Sequence, residues 1–379
     1  MIPFNVPHLV GSEIDNISAA LKSRQLSGDR AYSKGCETQL SKWLSDQPSL
    51  VVPSGTAALE LACIVADFQP GDEVIMPSYT FSSTANAVVL RGGVPVFVDI
   101  LPGTLNVDPS MVERAVTPKT RGILPVHYAG LVCDMSEICE IAHKNKLVVI
   151  EDAAQALGSF YNGQPAGTLG DMAAFSFHET KNIVAGEAGA FTTKHDDWHA
   201  RAQIIREKGT NRAEFIAGQV DKYSWVDVGS SFLAAEIVCA FLNAQFSHLD
   251  TITKRRVEIL DHYRAGLKDF ESRGWLALQT VPQHCQINGH IACCVLDDRF
   301  DREAVMRDLL EKGVQTTSHY VPLHSSTAGR KFGRAGSSMI HTDRAGSQLL
   351  RLPIYADLTD VEVDTVLHAL DEVLNEHAR

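Results

Sequence analysis

The amino-acid sequence predicts an α/β protein in which a large, mostly parallel sheet is covered by helices on both faces and followed by a smaller C-terminal α+β domain. Three observations carry this expectation. From residue 50 onward short β-branched runs alternate with longer helical patterns, and a parallel crossover needs about a dozen residues, usually helical. Runs such as Leu147-Val148-Val149-Ile150 are apolar throughout, as strands buried on both faces must be. After one long helical stretch the pattern changes to strand, helix, strand and closing helix, which reads as a separate unit.

Residues 1–45 carry two amphipathic helical patterns, Ser12 to Leu26 and Ser33 to Leu44, joined by Ser27-Gly28-Asp29. They are expected to pack on the domains that follow. In residues 46–245, strands are expected at Leu50 to Val52, Glu73 to Met76, Val94 to Val98, Gly122 to Val126, Leu147 to Ile150 and Ala173 to Phe177. Apolar residues at helical spacing separate them at Ala57 to Phe68, Ser82 to Arg91, Pro109 to Ala115 and Asp134 to Asn145. A long helical stretch, Leu233 to Arg273, leads into residues 246–379. There the pattern predicts strands at His290 to Leu296 and Val314 to Tyr320, and helices at Arg302 to Lys312 and Thr359 to Asn375.

With 379 residues, 45% of them hydrophobic, the chain is far above the size at which a core needs disulfide or metal staples. The formal net charge of −12 repels polyanions, so nucleic acid and anionic membrane surfaces are not expected partners. A small anionic ligand held at a helix N-terminus stays open. No run approaches the roughly 18 apolar residues of a membrane span. The start, Met1-Ile2-Pro3-Phe4-Asn5-Val6-Pro7, has neither a basic leader nor a long apolar run, so export is not expected. Eight cysteines contain no C-x-x-C pair and sit in apolar surroundings, so free thiols in a reduced cytoplasm are expected. The adjacent Cys293 and Cys294 would point to opposite faces of a strand. Fifteen histidines are scattered without ligand-like clustering, and no metal is expected.

Three segments carry chemistry. After the first strand, Pro53-Ser54-Gly55-Thr56-Ala57-Ala58 runs straight into a helix; small residues there let backbone N–H groups approach an anion, while Ser54 or Thr56 equally suits a helix N-cap. At the end of Leu147 to Ile150 stand Glu151-Asp152-Ala153-Ala154-Gln155. A carboxylate at the tip of a buried strand needs a cation or donors, and two carboxylates in a row leave open which one faces a ligand. The third segment is Phe175-Ser176-Phe177-His178-Glu179-Thr180-Lys181-Asn182, followed by Gly186-Glu187-Ala188-Gly189. In this order, a phosphate loop, a strand-end carboxylate with a nearby Gln, and Ser-x-x-x-x-Lys are what a fold-type I pyridoxal phosphate enzyme requires.

These segments resemble the DegT/DnrJ/EryC1/StrS sugar aminotransferases, and the resemblance runs from Pro3-Phe4-Asn5 to Leu352-Pro353. Further matching segments are Pro77 to Asn86, Val126-His127-Tyr128-Ala129-Gly130, Arg206 to Arg212, Asp227 to Ser231 and His319-Tyr320-Val321-Pro322-Leu323-His324. The resemblance implies an aspartate aminotransferase-like fold with a large mixed, mostly parallel sheet, and pyridoxal 5′-phosphate as cofactor. It implies Lys181 as the Schiff-base lysine, Asp152 as partner of the pyridinium nitrogen and Gln155 as partner of the cofactor's phenolic oxygen. Gly55, Thr56 and Ser176 match phosphate-binding positions, and Phe81 matches the aromatic that stacks on the ring.

Within the family the segments look most like the branch that makes dTDP-4-amino-4,6-dideoxygalactose for surface polysaccharides. The implied partners are a dTDP-linked keto-deoxy sugar, L-glutamate with 2-oxoglutarate, and a second copy forming a homodimer with composite sites. Two departures stand out. Ser231 occupies the position where many relatives place an Asn that reaches the neighbouring subunit's cofactor phosphate, and Ala188 stands where relatives usually read Gly. A dehydratase branch carries histidine at the position of Lys181, so lysine there points to transamination. His178, His319, Tyr320 and His324 are candidate substrate contacts, although each also suits a half-buried loop. His127 and His178 are candidate catalytic bases, with His127 equally suited to lining the pocket or to a structural role, and Arg206 and Lys208 either steer a diphosphate or are solvated. A 3-aminotransferase, a gluco-epimer 4-aminotransferase and a non-catalytic nucleotide-sugar-binding protein are the rival readings.

Overall fold

The computed structural model describes residues 1–378. Its large sheet contains β1 (Ser49–Val52), β2 (Glu73–Pro77), β3 (Val94–Val98), β4 (Thr120–Ile123), β5 (Val148–Asp152), β6 (Met172–Ser176) and β7 (Gly189–Thr193). A smaller sheet is built from β8 (Leu276–Leu278), β9 (Ala292–Leu296) and β11 (Leu349–Leu352), and β10 (Arg334–Ala335) returns to the edge of the large one. The large sheet has the order β1-β7-β6-β5-β4-β2-β3-β10. Every neighbouring pair in it is parallel except the two made by β7. This is the mixed, mostly parallel sheet that the sequence predicts, and the strand-helix alternation accounts for its parallel pairs. β7 differs because no helix lies between β6 and β7, so the chain turns back as a hairpin. Gly189 at its start allows a close approach, since a Cβ there would lie 2.3 Å from the carbonyl carbon of Ser54.

Helices Gly55–Val65, Ser82–Val89, Pro109–Ala115 and Met135–Asn145 follow the strands as their apolar spacing predicts. β1 and β2 are buried along their whole lengths, consistent with helices on both faces. β5 runs to Asp152, two residues beyond its apolar part, which puts both carboxylates inside the sheet edge.

Two expectations for the later chain need correction. The stretch Leu233 to Arg273 is two helices, Glu236–Phe246 and Leu249–Ser272. At the break the Ser247 hydroxyl donates to the Asn243 carbonyl and His248 Nδ1 bonds the Ala244 carbonyl, local contacts that compete with the helix. Val314 to Tyr320 is not a strand: only Val314 and Thr317 make isolated bridges, to Ile2 and Arg351. Its backbone is diverted, because the His319 carbonyl accepts from the Tyr79 hydroxyl at 2.6 Å.

The N-terminal helices, Glu13–Ser23 and Ala31–Trp43, pack against Glu236–Phe246. Buried Glu236 accepts from the backbone N–H groups of Arg30, Tyr32 and Ser33 at the start of the second helix, supplying donors that helix ends otherwise leave unsatisfied. Arg206, at the end of the helix Asp196–Arg206, is also buried rather than solvated or free to steer a diphosphate. It pairs with Glu37 and with Asp29, the latter at 3.1 Å. Removing one partner of a buried pair typically costs about 3–5 kcal/mol. Arg206→Met should destabilise by about 3 kcal/mol, the low end of that range, because Lys34 stays 3.4 Å from Glu37; urea unfolding measures it.

In the small sheet β9 is central and antiparallel to β8 and β11. Cys294 joins the core with Tyr263, Leu350 and Leu370, while Cys293 packs on the other face with Tyr79 and Tyr128. All eight cysteines are free. Among the described residues, no helix is long and apolar enough to cross a membrane.

Candidate active site

β1, β2, β5 and β6 all run in one direction, and the loops leaving their C-terminal ends surround a cavity of about 550 Å³. A crevice there is the expected ligand position in an open α/β sheet. The loop after β1 resolves the ambiguity between Ser54 and Thr56. Ser54 is the N-cap, accepting from the Ala57 N–H at 3.0 Å, whereas Thr56 lines the cavity with its hydroxyl 2.7 Å from that of Ser83. Between them, Gly55 lets the helix N-terminus lie against β6: a Cβ there would sit 2.8 Å from the Cβ of Ser176. The helix start, Thr56 and Ser176 thus present N–H and hydroxyl donors to one end of the cavity.

The two adjacent carboxylates point to opposite sides of β5, as strand alternation requires. Glu151 is fully buried away from the cavity and accepts from His127 Nε2 at 2.8 Å and from the N–H groups of Gly167, Leu169 and Gly170. His127 is therefore structural. Asp152 lines the cavity. Its Oδ2 accepts from the Thr84 hydroxyl at 2.8 Å, and its Oδ1 from the Ala154 N–H at 3.2 Å. Burial pushes its pKa up, against the pull of these two hydrogen bonds, and it forms no ion pair among the described residues.

Lys181 reaches the same cavity from the loop after β6. Burial pulls its pKa down to about 8; Asp152 opposes the shift and Arg351 adds to it. A lowered amine pKa means a larger neutral, nucleophilic fraction near neutrality. The rate at which cofactor-free protein develops colour with added pyridoxal 5′-phosphate should therefore rise with pH about a midpoint near 8. A midpoint near the ordinary lysine value would contradict the shift.

Gln155 accepts from the Ala129 N–H at 2.7 Å and donates to the Tyr320 hydroxyl at 2.9 Å, leaving one amide N–H over. Tyr320 lines the cavity, and His319 stacks on it with ring centres 4.0 Å apart. Phe81 is 59% exposed at the cavity wall, 6.5 Å from the Tyr320 ring. His178 lines the cavity and bonds the Thr180 hydroxyl at 3.0 Å.

Two candidates fall outside the cavity lining. His324 is turned away: its Nδ1 is 2.8 Å from the Ser78 hydroxyl and its Nε2 is 3.5 Å from Asp343, so it fastens its own loop. Ser231 is exposed on a loop bridged to Glu207. Ala188 is buried outside the left-handed backbone region, which is why a methyl is accommodated there.

Phe4, Thr84, His290 and Arg351 are among the cavity residues to which sequence reasoning gives no role. His290 bonds Asn182, next to Lys181, at 2.8 Å. Thr84 and Arg351 lie inside or beside segments that stand out by resemblance, yet nothing local marks their contacts.

The sequence matches the DegT/DnrJ/EryC1/StrS aminotransferase family over residues 7–371. The chain belongs to this family. Among its relatives, GDP-perosamine synthase of Caulobacter vibrioides is 31% identical over 97% of both chains. Spore coat polysaccharide biosynthesis protein SpsC of Bacillus subtilis is 30% identical over 98% of this chain and 97% of its own. The solved structure of Spr1654 from Streptococcus pneumoniae superposes in its PLP form with a TM-score of 0.91, at 27% identity and 99% coverage of each chain.

The chain is thus a pyridoxal phosphate-dependent sugar aminotransferase of the DegT/DnrJ/EryC1/StrS family, and its cavity fits that cofactor. Hydroxyls and a helix N-terminus suit a phosphate, a buried carboxylate without an ion pair suits a cationic ring nitrogen, and a lysine amine with no hydrogen bond among the described residues suits covalent attachment. When bound, the cofactor supplies an electron sink for the carbon being deprotonated.

Proposed function

We propose that this aminotransferase moves an amino group from L-glutamate to C4 of a dTDP-linked 4-keto-6-deoxyhexose, giving dTDP-4-amino-4,6-dideoxygalactose for surface polysaccharide. The observation that carries the chemistry is the convergence of Lys181, Asp152, Gln155, Thr56 and Ser176 on one cavity. The sugar rests on the segments Pro77 to Asn86, Asp227 to Ser231 and His319 to His324.

In this reading Lys181 would be the attachment point of the cofactor, and its amine would be free in the cavity once the donor has bound. Its freed amine then takes the proton from the donor's α-carbon and, in the second half-reaction, delivers one to the sugar carbon. The face of delivery fixes the epimer. Asp152, aimed by Thr84 and the Ala154 N–H, holds the proton on the ring nitrogen. Gln155 uses its remaining N–H on the phenolic oxygen. Gly55, Thr56 and Ser176 hold the phosphate, and Phe81 packs on the ring. His178, His319 and Tyr320 contact substrate.

A second copy completes the site. Ser231 follows a stretch that exposes Phe215, Ile216, Tyr223, Trp225 and Val228 to solvent, Trp225 at 80%. A protein of this size rarely leaves such a patch unpaired. Light scattering on the purified protein should give at least a dimer mass; a monomer would remove the composite site. We place the reaction in the cytoplasm, a location supported by eight unpaired thiols.

The test of the sugar is product structure. With dTDP-4-keto-6-deoxyglucose, cofactor and glutamate, NMR should show an axial C4 amine. A C3 amine or an equatorial C4 amine would sink the named product. A GDP-linked keto sugar run in parallel decides the nucleotide, since one relative carries GDP in its name.

A further inference from the structure

His290 stands two residues before β9, buried, and lines the same cavity as Lys181. Its hydrogen bonds fix where its ring proton sits. Asn182, the neighbour of Lys181, points its amide nitrogen at the Asn288 carbonyl, 2.9 Å away. A carbonyl oxygen only accepts, so the amide oxygen of Asn182 is the atom that faces His290 Nδ1 at 2.8 Å, and Nδ1 carries the proton that it donates. Asn288 is held in turn. It donates to the carbonyls of Gln155 and Leu157 and accepts from the His290 N–H at 3.1 Å.

The ring takes no second proton. Burial, and after it the charges of Lys181, Arg256, Arg351 and His319, push its pKa well below the usual histidine value. A neutral imidazole protonated at Nδ1 has a lone pair at Nε2. The bond to Asn182 is the one the ring makes among the described residues, so that lone pair is unpartnered. Lys181 is the complementary case, a buried amine that makes no hydrogen bond among the described residues. Both residues line the main cavity and a small recess that adjoins it, and Lys181 is the first of the charges that oppose a second proton on His290. An unpaired donor and an unpaired acceptor therefore share one buried space, where each is costly alone.

We propose that His290 is a positioning residue whose Nε2 accepts a hydrogen bond from the Lys181 amine whenever that amine is not joined to the cofactor, and so holds the proton carrier in one place through both half-reactions. The proposal rests on the transaminase reading of this cavity. The low basicity of the ring leaves the proton itself with Lys181. Asn182 and Asn288 keep the lone pair on the atom that faces the cavity, which a rotating or re-protonated ring would lose.

The test uses full-length protein and variants that dissect the ring. His290→Asn keeps an amide near the place of Nδ1 and removes the acceptor at Nε2, whereas His290→Gln keeps an acceptor near the place of Nε2. In cofactor-free protein, the pH midpoint of colour development with added pyridoxal 5′-phosphate reads the Lys181 amine without turnover. An acceptor favours an ammonium over a neutral amine, so H290N should lower that midpoint by about one unit, and H290Q should restore most of it. Asn182→Ala, which frees the tautomer and leaves the ring, should shift it the same way by less, and keeps the test open if H290N does not fold. In loaded H290N, single-turnover conversion of L-glutamate should slow roughly 10- to 100-fold, the effect of a small misplacement, with half-saturation unchanged. Glutamate deuterated at the α-carbon should slow it by a larger ratio than in wild type, because proton transfer has become the slow step. Folded H290N with the wild-type midpoint and the wild-type deuterium ratio overturns the proposal, and so does an unchanged midpoint in N182A. Wild-type protein that develops no absorbance of a lysine-linked cofactor would instead defeat the transaminase reading, an outcome visible before any variant is made.

Discussion

Lys181→Ala should show no absorbance band of a lysine-linked cofactor and should aminate no keto sugar at a measurable rate. Lys181 is the one lysine lining the cavity among the described residues, so no neighbour can replace it. The substitution removes two functions at once. On the proposed reading a nucleophile with its pKa lowered to about 8 is lost, and so is the base that would shuttle the proton in each half-reaction. Proton transfer by a positioned group contributes roughly 10²- to 10⁴-fold, and the loss of attachment comes on top. Spectra and a glutamate-dependent assay on the same preparation read the two effects separately. Retained sugar amination at more than about a hundredth of the wild-type rate, the low end of that contribution, would mean that the proton carrier is another group.

Asp152→Asn should bind the cofactor yet turn over roughly 10- to 1000-fold more slowly. An opposite charge within a few ångströms shifts a pKa by about 1–3 units, so removing the carboxylate lowers the protonated fraction of a ring nitrogen by that factor. The sign follows from the site. Burial alone raises the carboxyl pKa of Asp152, and a cationic partner would draw it back down and be stabilised in return. The asparagine keeps the size and the bond from Thr84, so the fold should survive. Absorbance of the loaded variant followed against pH would display the shifted ring titration; an unchanged titration with full activity would move the role to another group.

Much of the fold is legible in the residues themselves. The alternation of β-branched runs and helical spacing locates β1 to β6 to within a few residues, because strands buried on both faces leave little choice of residue type. β7 escapes because nothing in Gly189-Ala190-Phe191-Thr192-Thr193 states the direction in which it pairs. Val314 to Tyr320 has the composition of a strand but lacks a continuous partner. Strand propensity is a statement about fitting a pleated surface, and without that surface it decides nothing.

The sequence by itself determines the local pieces: a helix start of small and hydroxyl residues after β1, a carboxylate pair at the tip of β5, and a lysine in the loop after β6. Short-range chemistry makes these visible, since caps, small residues and strand ends act on their immediate neighbours. Only the tertiary structure decides that Asp152 faces the cavity while Glu151 faces His127 and three backbone N–H groups. Alternation along a strand guarantees that the two diverge, but what packs on each face chooses between them. Likewise Phe4, His290 and Arg351 reach the site from remote parts of the chain, through contacts that arise only when the sheets have packed.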